Sequence, residues 1–594
     1  MKTHQTRPGV EVDGEELQSL RRHIPRFGLG LALVATLALV AGCNLFRPPA
    51  PPSPLPTPTM VATITPSPVP PLALLDSELL GVKDVEAACD SAEGAQITCE
   101  NTDFAPQITV KHDASVWSRW AMRWQNAAPL TGDEVLRLRL TVQGDMYPNL
   151  YLVEQEGERL PVELWRFGLA EGTQEIFVPL REVKDVDGNT LDFSKINELQ
   201  IVFEWADVDG TLDVESVEFL SVWQEPVALD PAAFQMADAL GLPPGFVAEP
   251  IADDVRENTQ IEITPDGDML VSLQNGRIWW YTDEDGDGVY DSRHLYATGF
   301  TEVVGLLYDP WDDAVWVGGR GQLYRTLDTD GNGAADVREL RIDGLPWGRH
   351  QNNGLEWNPD PDPFTGEPGG HWIYFGLGST DDLAVGGEYN ASILRFPRDG
   401  QGQEDLEILS HGNRNAYDVL WAPVPVDLDN PDGPTAWQLF ASENGPDYQN
   451  DPDEVNHLYR LGLNFGFPDQ LGDLAPDAVE GDPYAGPVYS VIPHTSADGL
   501  AWISNSEWPD EYRTLYTALF GEVFNPTPVG HIVEGIHLHE ITTPDGYTTY
   551  RGEPFDFVTN LDRPLPLTVD LEGDLLVGDY ATGMIYAIRY TGGE

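Results

Sequence analysis

Cysteine is nearly absent from the chain: Cys43, Cys89 and Cys99 are the only three in 594 residues, too few for a disulfide scaffold. Basic residues are scarce as well, with 33 Lys and Arg against 98 Asp and Glu and a net charge of −65. Such a surface repels a phosphate backbone and no basic patch offsets it, so general nucleic-acid binding is excluded. No segments of about 10–15 residues with helical period separate the apolar strands of the C-terminal part, which excludes an α/β alternation there. Core-forming material is plentiful, at 41% hydrophobic and 10% aromatic residues, and wholesale disorder is excluded too. At ~150 residues per domain the length allows three or four domains, or fewer if one large β architecture takes most of it. The acidity suits a life outside the cell and the capture of hard cations such as calcium.

One long apolar run, FGLGLALVATLALVAG at 27–42, follows Arg21, Arg22 and Arg26. It is short for a membrane span and right for the core of a signal peptide. It ends on Val40-Ala41-Gly42-Cys43, which resembles the lipobox of bacterial lipoproteins, whose cysteine is lipidated and becomes the mature N-terminus. Residues 1–43 therefore read as a lipoprotein signal peptide. Residues 44–75, dense in proline, read as an extended spacer that cannot pack a core. The expected location is extracytoplasmic, in the cell envelope, with the chain anchored to a membrane by lipid on Cys43. In that oxidising compartment Cys89 and Cys99 are expected to form a local disulfide.

Residues 76–225 read as all-β. LRLRLTV (136–142) puts Leu136, Leu138, Leu140 and Val142 on one face, and LQIVFEW (199–205) does the same with Leu199, Ile201, Phe203 and Trp205. Short alternating strands of this kind predict a β-sandwich. The closing stretch GTLDVESVEFLSV resembles the final strands of galactose-binding-like jelly rolls, an architecture shared by many carbohydrate-binding modules. Trp117, Trp120, Trp124, Tyr147 and Trp165 are then either a sugar-stacking platform or core.

Residues 226–594 contain a repeat: an apolar strand, a polar turn, a second apolar strand, and often a glycine turn into a third. ITPDGDMLVSLQNGRIWWY (263–281) is the clearest copy and LTVDLEGDLLVGDYATGMIYAIRY (567–590) the last of six. Six units of this size predict a six-bladed β-propeller, with FVAEPIA (246–252) supplying a strand that closes the ring against the last blade.

Two acidic loops lie within the repeat. DEDGDGVYD (283–291) offers Asp283, Asp285, Asp287 and Asp291; DTDGNGAADVRE (328–339) offers Asp328, Asp330, Asn332, Asp336 and Glu339, with Gly333 at the turn. Alternate side chains folding inward around a hard ion would make both calcium sites. The same residues also build plain hairpin turns through backbone geometry alone.

Three further stretches are too polar and glycine-rich for simple blade connections: GRHQNNGLEW (348–357), SHGNRNAYDVLW (410–421) and ENGPDYQNDPDEVNHLYRLGLNFGFP (443–468). With the repeat, they resemble the soluble quinoprotein glucose/sorbosone dehydrogenase family over roughly 240–590. The resemblance implies a six-bladed propeller holding pyrroloquinoline quinone (PQQ) and calcium at the mouth of its channel. It implies His350 as catalytic base, Arg414 and Asn415 as cofactor contacts, with Arg414 also steadying developing negative charge, and Arg563 on the carboxylates of the quinone. It implies calcium ligation by the carbonyls of Gly445 and Pro446. The chain departs from the family at Thr301-Glu302-Val303-Val304, where a glutamine is missing, near Leu565, where a second arginine is replaced, and around Phe520-Gly521-Glu522, which lacks a lysine.

Two functions follow. One is a membrane-tethered PQQ dehydrogenase oxidising a sugar or polyol hydroxyl and passing electrons to an extracytoplasmic acceptor. The other is a non-catalytic, calcium-stabilised propeller that binds carbohydrate or a partner protein at the cell surface.

Overall fold

The computed structural model describes residues 72–73, 86–100 and 106–592, apart from 125–129, 131–133, 156, 158, 165–168, 170–171, 181–182, 184–190, 205, 221–224, 285, 287, 330, 447–450, 471–483 and 523–528. The leader, Cys43, Trp165 and Trp205 lie outside the described residues. Among the described residues no helix is long and apolar enough to cross a membrane.

Alternation dictates the N-terminal sandwich. In the strand Val135–Asp145, Leu136, Leu138, Leu140 and Val142 are buried while Arg139 between them is exposed. One antiparallel sheet runs in the order Gln96–Glu100, Gln107–His112, Val208–Leu220, Val135–Asp145 and Gly172–Pro179. The second runs Glu86–Ser91, Ser118–Arg123, Ile196–Phe203, Pro148–Glu154 and Arg159–Glu163. Their apolar faces share one core. A disulfide between Cys89 and Cys99 ties the first strand of one sheet to the first strand of the other. Trp120 and Trp124 are buried in this core, so neither is part of a sugar platform, whereas Trp117 and Tyr147 are exposed.

The remainder is a six-bladed β-propeller. Its inner strands are Asn258–Ile263, Gly305–Asp309, Asn352–Trp357, Ala416–Pro425, Ala497–Trp502 and Pro564–Val569, each leading a sheet that we number as blades 1 to 6, antiparallel but for the short strand Leu463–Asn464 at the edge of blade 3. Each inner strand packs against the next and the sixth against the first, which closes the ring. As expected, Phe246–Ala252 pairs antiparallel with Met584–Tyr590 and completes blade 6 with a strand that precedes blade 1 in sequence. The short helix Pro231–Asp238 precedes it, capped by Asp230, whose carboxylate accepts the Ala232 N–H at 2.8 Å. The sandwich meets blade 1 through Phe177, whose ring stands edge-on to Trp279 at 5.7 Å and beneath the Arg277 guanidinium at 5.2 Å.

Strand direction assigns each loop to an end of the ring. Connections leading into the inner strands lie at one end, the mouth; turns that follow the inner strands lie at the other. The two acidic loops join the third and fourth strands of blades 1 and 2 and fall at the end away from the mouth. In the second, Asp328 accepts the N–H groups of Gly331 (2.9 Å) and Gly333 (2.7 Å), both with positive φ, and Asp336 accepts that of Thr329 at 2.8 Å. In the first, Asp283 accepts from Gly286 and Gly288, both at 2.8 Å, and Asp291 accepts from Glu284 at 2.9 Å. Asp285, Asp287 and Asp330 lie outside the described residues. Glu339 does not close the second loop: it lies within the strand Val337–Ile342 and its carboxylate meets Arg325 at 3.2 Å. Among the described residues no group of three or more His, Cys, Asp or Glu side chains is placed to hold a metal.

Candidate active site at the propeller mouth

The loop 343–351 leads into the inner strand of blade 3, and its end is pinned by backbone bonds: Arg349 N–H to the Thr380 carbonyl at 3.0 Å and His350 N–H to that of Ser379 at 3.2 Å. The His350 ring makes a further bond from Nδ1 to the Ser379 carbonyl, 3.1 Å away. A carbonyl only accepts, so Nδ1 carries the proton and Nε2 keeps its lone pair. Burial, reinforced by the neighbouring Arg414 and opposed by the Ser379 bond, pulls the ring down to about 3. The imidazole is neutral throughout the physiological range. A protein wall surrounds it, with one side open to a cavity of about 370 Å³.

That cavity collects residues from all six blades. Thr259 and Gln274 come from blade 1, Glu302, Val304 and Arg320 from blade 2, and Arg349, His350 and Asn353 from blade 3. Asn415, Tyr417 and Asn444 come from blade 4, Asp498 and Phe520 from blade 5, and Leu565 and Tyr580 from blade 6. Val304, Tyr417 and Leu565 pack together as an apolar floor, joined by Phe520 and Tyr580. Across it runs a chain of side-chain bonds. Asn353 Nδ2 donates to Asn415 Oδ1 at 2.9 Å, Asn415 Nδ2 to Asn444 Oδ1 at 2.9 Å, and Asn444 Nδ2 to Asp498 Oδ1 at 3.1 Å. Burial holds the Asp498 carboxyl well above the usual carboxylate range.

Of the residues singled out in the sequence, His350 and Asn415 line the cavity. Arg563 stands at its edge with the guanidinium over Phe520 at 4.9 Å, and no hydrogen bond or ion pair of that guanidinium is formed among the described residues. Gly445 and Pro446 follow Asn444 directly, and Gly445 is fixed by its N–H on Asp453 Oδ1 at 2.7 Å. Arg414 does not reach the cavity. It is 1% exposed, donating to Asp382 Oδ1 at 2.6 Å, to the Asp382 carbonyl at 3.1 Å and to the Asn444 carbonyl at 2.9 Å, while its own N–H binds Glu443 at 2.7 Å. Its neighbours in blades 3 and 4 take up every bond named here, so its place is behind the wall, as a brace for the loops that carry His350 and Asn444.

Sequence reading missed Arg320 and Arg349, the two guanidiniums in the cavity lining. Arg349 stands beside the chosen histidine and was open to inference. Arg320 was not, because only the folded turn brings it to Glu302, which it grips through both nitrogens, with Nε 2.6 Å from the carboxylate.

Residues 231–418 match the family model of a domain of unknown function (DUF7133). No curated protein matches the chain. Among solved structures, the PQQ domain of pyranose dehydrogenase from Coprinopsis cinerea is 16% identical over 59% of this chain and 97% of its own, with a TM-score of 0.46. A calcium structure of a carbohydrate-active enzyme of family AA12 from Trichoderma reesei is 15% identical over 59% of this chain and 97% of its own, at 0.47. A putative oxidoreductase (glucose dehydrogenase) from Thermus thermophilus is 20% identical over 58% of this chain and 100% of its own, at 0.43.

Proposed function

We propose that the propeller is a PQQ-dependent dehydrogenase acting on a sugar or polyol hydroxyl, on a chain tethered outside the cytoplasm by lipid on Cys43 and served by an extracytoplasmic electron acceptor. The observation that carries this reading is His350: a neutral imidazole with Nδ1 committed to a carbonyl and its remaining nitrogen available on the wall of a ligand-sized cavity. The residues present fit a planar, carboxylated cofactor. Phe520 and Tyr580 offer flat walls, Asn353, Asn415 and Asn444 offer amides, and Arg563 offers positive charge to carboxylates, beside Arg349, whose guanidinium also faces Asp382 at 3.5 Å. Calcium there would take the carbonyls of Gly445 and Pro446, hard oxygen donors, with Asp453 fixing the turn.

A bound quinone supplies the hydride acceptor. On the protein side, His350 Nε2 takes the hydroxyl proton as the substrate carbon gives up its hydride and becomes a carbonyl. Asn415, held from both sides by Asn353 and Asn444, keeps one orientation and presents a fixed dipole. The apolar floor of Val304, Tyr417 and Leu565 keeps water from beneath the reacting centre.

Charge favours a second reading, a non-catalytic propeller binding carbohydrate or a partner at the same mouth. Arg320 is neutralised by Glu302, and Arg414 and Arg349 share Asp382 at 2.6 and 3.5 Å, which leaves little uncompensated positive charge for a tricarboxylate. Purified protein titrated with PQQ and calcium separates the two. A change in the quinone absorbance and dye reduction with an aldose or polyol support the dehydrogenase; neither signal across a sugar panel leaves the binding propeller. Melting with calcium and with chelator tests the metal, since binding to the native state alone raises stability by about 2.7 kcal/mol at 100-fold excess over Kd.

A further inference from the structure

A second cavity lies at the opposite end of the ring, away from the proposed dehydrogenase site. It is a cleft of about 690 Å³ between blades 2 and 3. Trp311, on the turn after the inner strand of blade 2, stands in it with 52% of its surface exposed. That indole is held firmly for an exposed one. The Trp357 ring meets it edge-on at 5.3 Å and the Arg398 guanidinium lies over it at 5.3 Å. Gly370 runs so close beneath that a Cβ there would enter the ring. Around it, the cleft is lined by three guanidiniums, Arg325, Arg341 and Arg398, and by three carboxylates, Asp312, Glu339 and Asp399. Arg325 grips Asp312 and meets Glu339 at 3.2 Å; Arg398 meets Asp312 at 3.1 Å and is anchored on buried Asp309 at 2.7 Å.

The balance of sign decides the ligand class. On a chain of net charge −65, three arginines set against three lining acids and buried Asp309 bring the cleft close to neutral, and each guanidinium already faces a carboxylate, so a simple anion gains little there and a simple cation competes with the arginines. Hydroxyl groups both donate and accept, and so satisfy a guanidinium and a carboxylate side by side. The C–H face of a pyranose ring is the apolar surface that a half-exposed, immobilised indole covers best, and a platform already fixed loses little entropy on binding. The volume exceeds what one hexose ring fills and lies within the range of ligand sites.

We infer that the cleft of Trp311, Arg325, Arg341 and Glu339 is a binding site for a neutral oligosaccharide, separate from the mouth. It anchors the protein on a glycan and takes no part in the chemistry proposed above, so it stands or falls without that chemistry.

Calorimetric titration of the full chain with cellohexaose, xylohexaose, maltohexaose and chitohexaose, one at a time, tests it. At least one should bind, Trp311→Ala should weaken that binding by at least 10-fold, and His350→Ala should leave it unchanged. Glu339→Gln, which alters the cleft without touching the indole, should weaken it several-fold and serves if Trp311→Ala does not fold. No binding by any of the four overturns the inference. So does binding that survives Trp311→Ala, or survives Glu339→Gln where that variant stands in, because the sugar then sits elsewhere, at the mouth or on the sandwich.

Discussion

A histidine becomes useful as a base only when something removes its proton in advance, and at His350 burial and the nearby Arg414 charge do so. With the ring at about 3, its protonation cannot limit turnover in mild acid. In the reconstituted protein, the rate should therefore stay level from pH 8 down to pH 5; an acid limb near the ordinary histidine value of about 6.5 would refute the assignment. His350→Ala should lower kcat by roughly 10²–10⁴-fold with the melting temperature retained. Arg414 behaves differently. Replacing it by Ala leaves buried Asp382 with Arg349 alone, 3.5 Å away, which should cost up to about 3–5 kcal/mol in urea unfolding. Activity should fall with the fold, through loss of the brace, and a stable but inactive Arg414→Ala would instead restore direct contact with the ligand.

At the scale of the element, the inner strands carry carboxyl groups that no cation among the described residues balances. Glu262 accepts the Tyr308 N–H of the next blade, Glu356 that of Trp421, and Asp418 that of Leu500 at 2.9 Å. Glu262 and Glu356 are largely buried and keep only part of their surface exposed. Burial drives Glu262 up to about 8, Asp418 up to about 7 and Glu356 well above its ordinary range, and each of the two glutamates feels the charge of Asp418. For acids raised on folding, the native state holds the extra protons between the unfolded and folded values. Stability is then present at low pH and lost as pH rises through about 7 and 8. From pH 6 to pH 8, Asp418 and Glu262 alone should account for a loss of roughly 3–4 kcal/mol at 1.36 kcal/mol per proton and unit. Glu262→Gln should flatten that slope in urea titrations at several pH values; an unchanged slope would place the titration elsewhere. The blades that carry these groups were legible in the sequence, because strand period and glycine turns are local. The cavity was legible only in part. His350 and Asn415 sit in polar stretches that stand out from the repeat, whereas the grip of Arg320 on Glu302 and the capture of Arg414 by Asp382 join loops far apart in sequence. Two charges that neutralise each other in the fold look like two free charges in the chain.

At the scale of the whole molecule, the ring has one seam, where Phe246–Ala252 meets Met584–Tyr590 across more than three hundred residues of sequence. Phe246 is the knot of that seam. Its ring lies 4.7 Å from Trp508, 5.0 Å from Tyr512, 5.1 Å from Phe557 and 5.0 Å from Tyr590, so one side chain binds the closing strand to blades 5 and 6 together. Deleting it removes a buried aromatic and leaves a cavity, a change worth about 3–5 kcal/mol. How that loss shows in urea distinguishes two kinds of ring. If the seam and the blades form one cooperative unit, Phe246→Ala lowers the midpoint and leaves the slope m as it was. If the seam opens first and the blades follow one by one, m falls and fluorescence and circular dichroism report different midpoints. Six inner strands packed around the ring, three of them with a carboxylate that accepts a backbone N–H of the next, favour the first outcome. A wild-type midpoint for Phe246→Ala would mean that the seam contributes nothing to holding the ring shut.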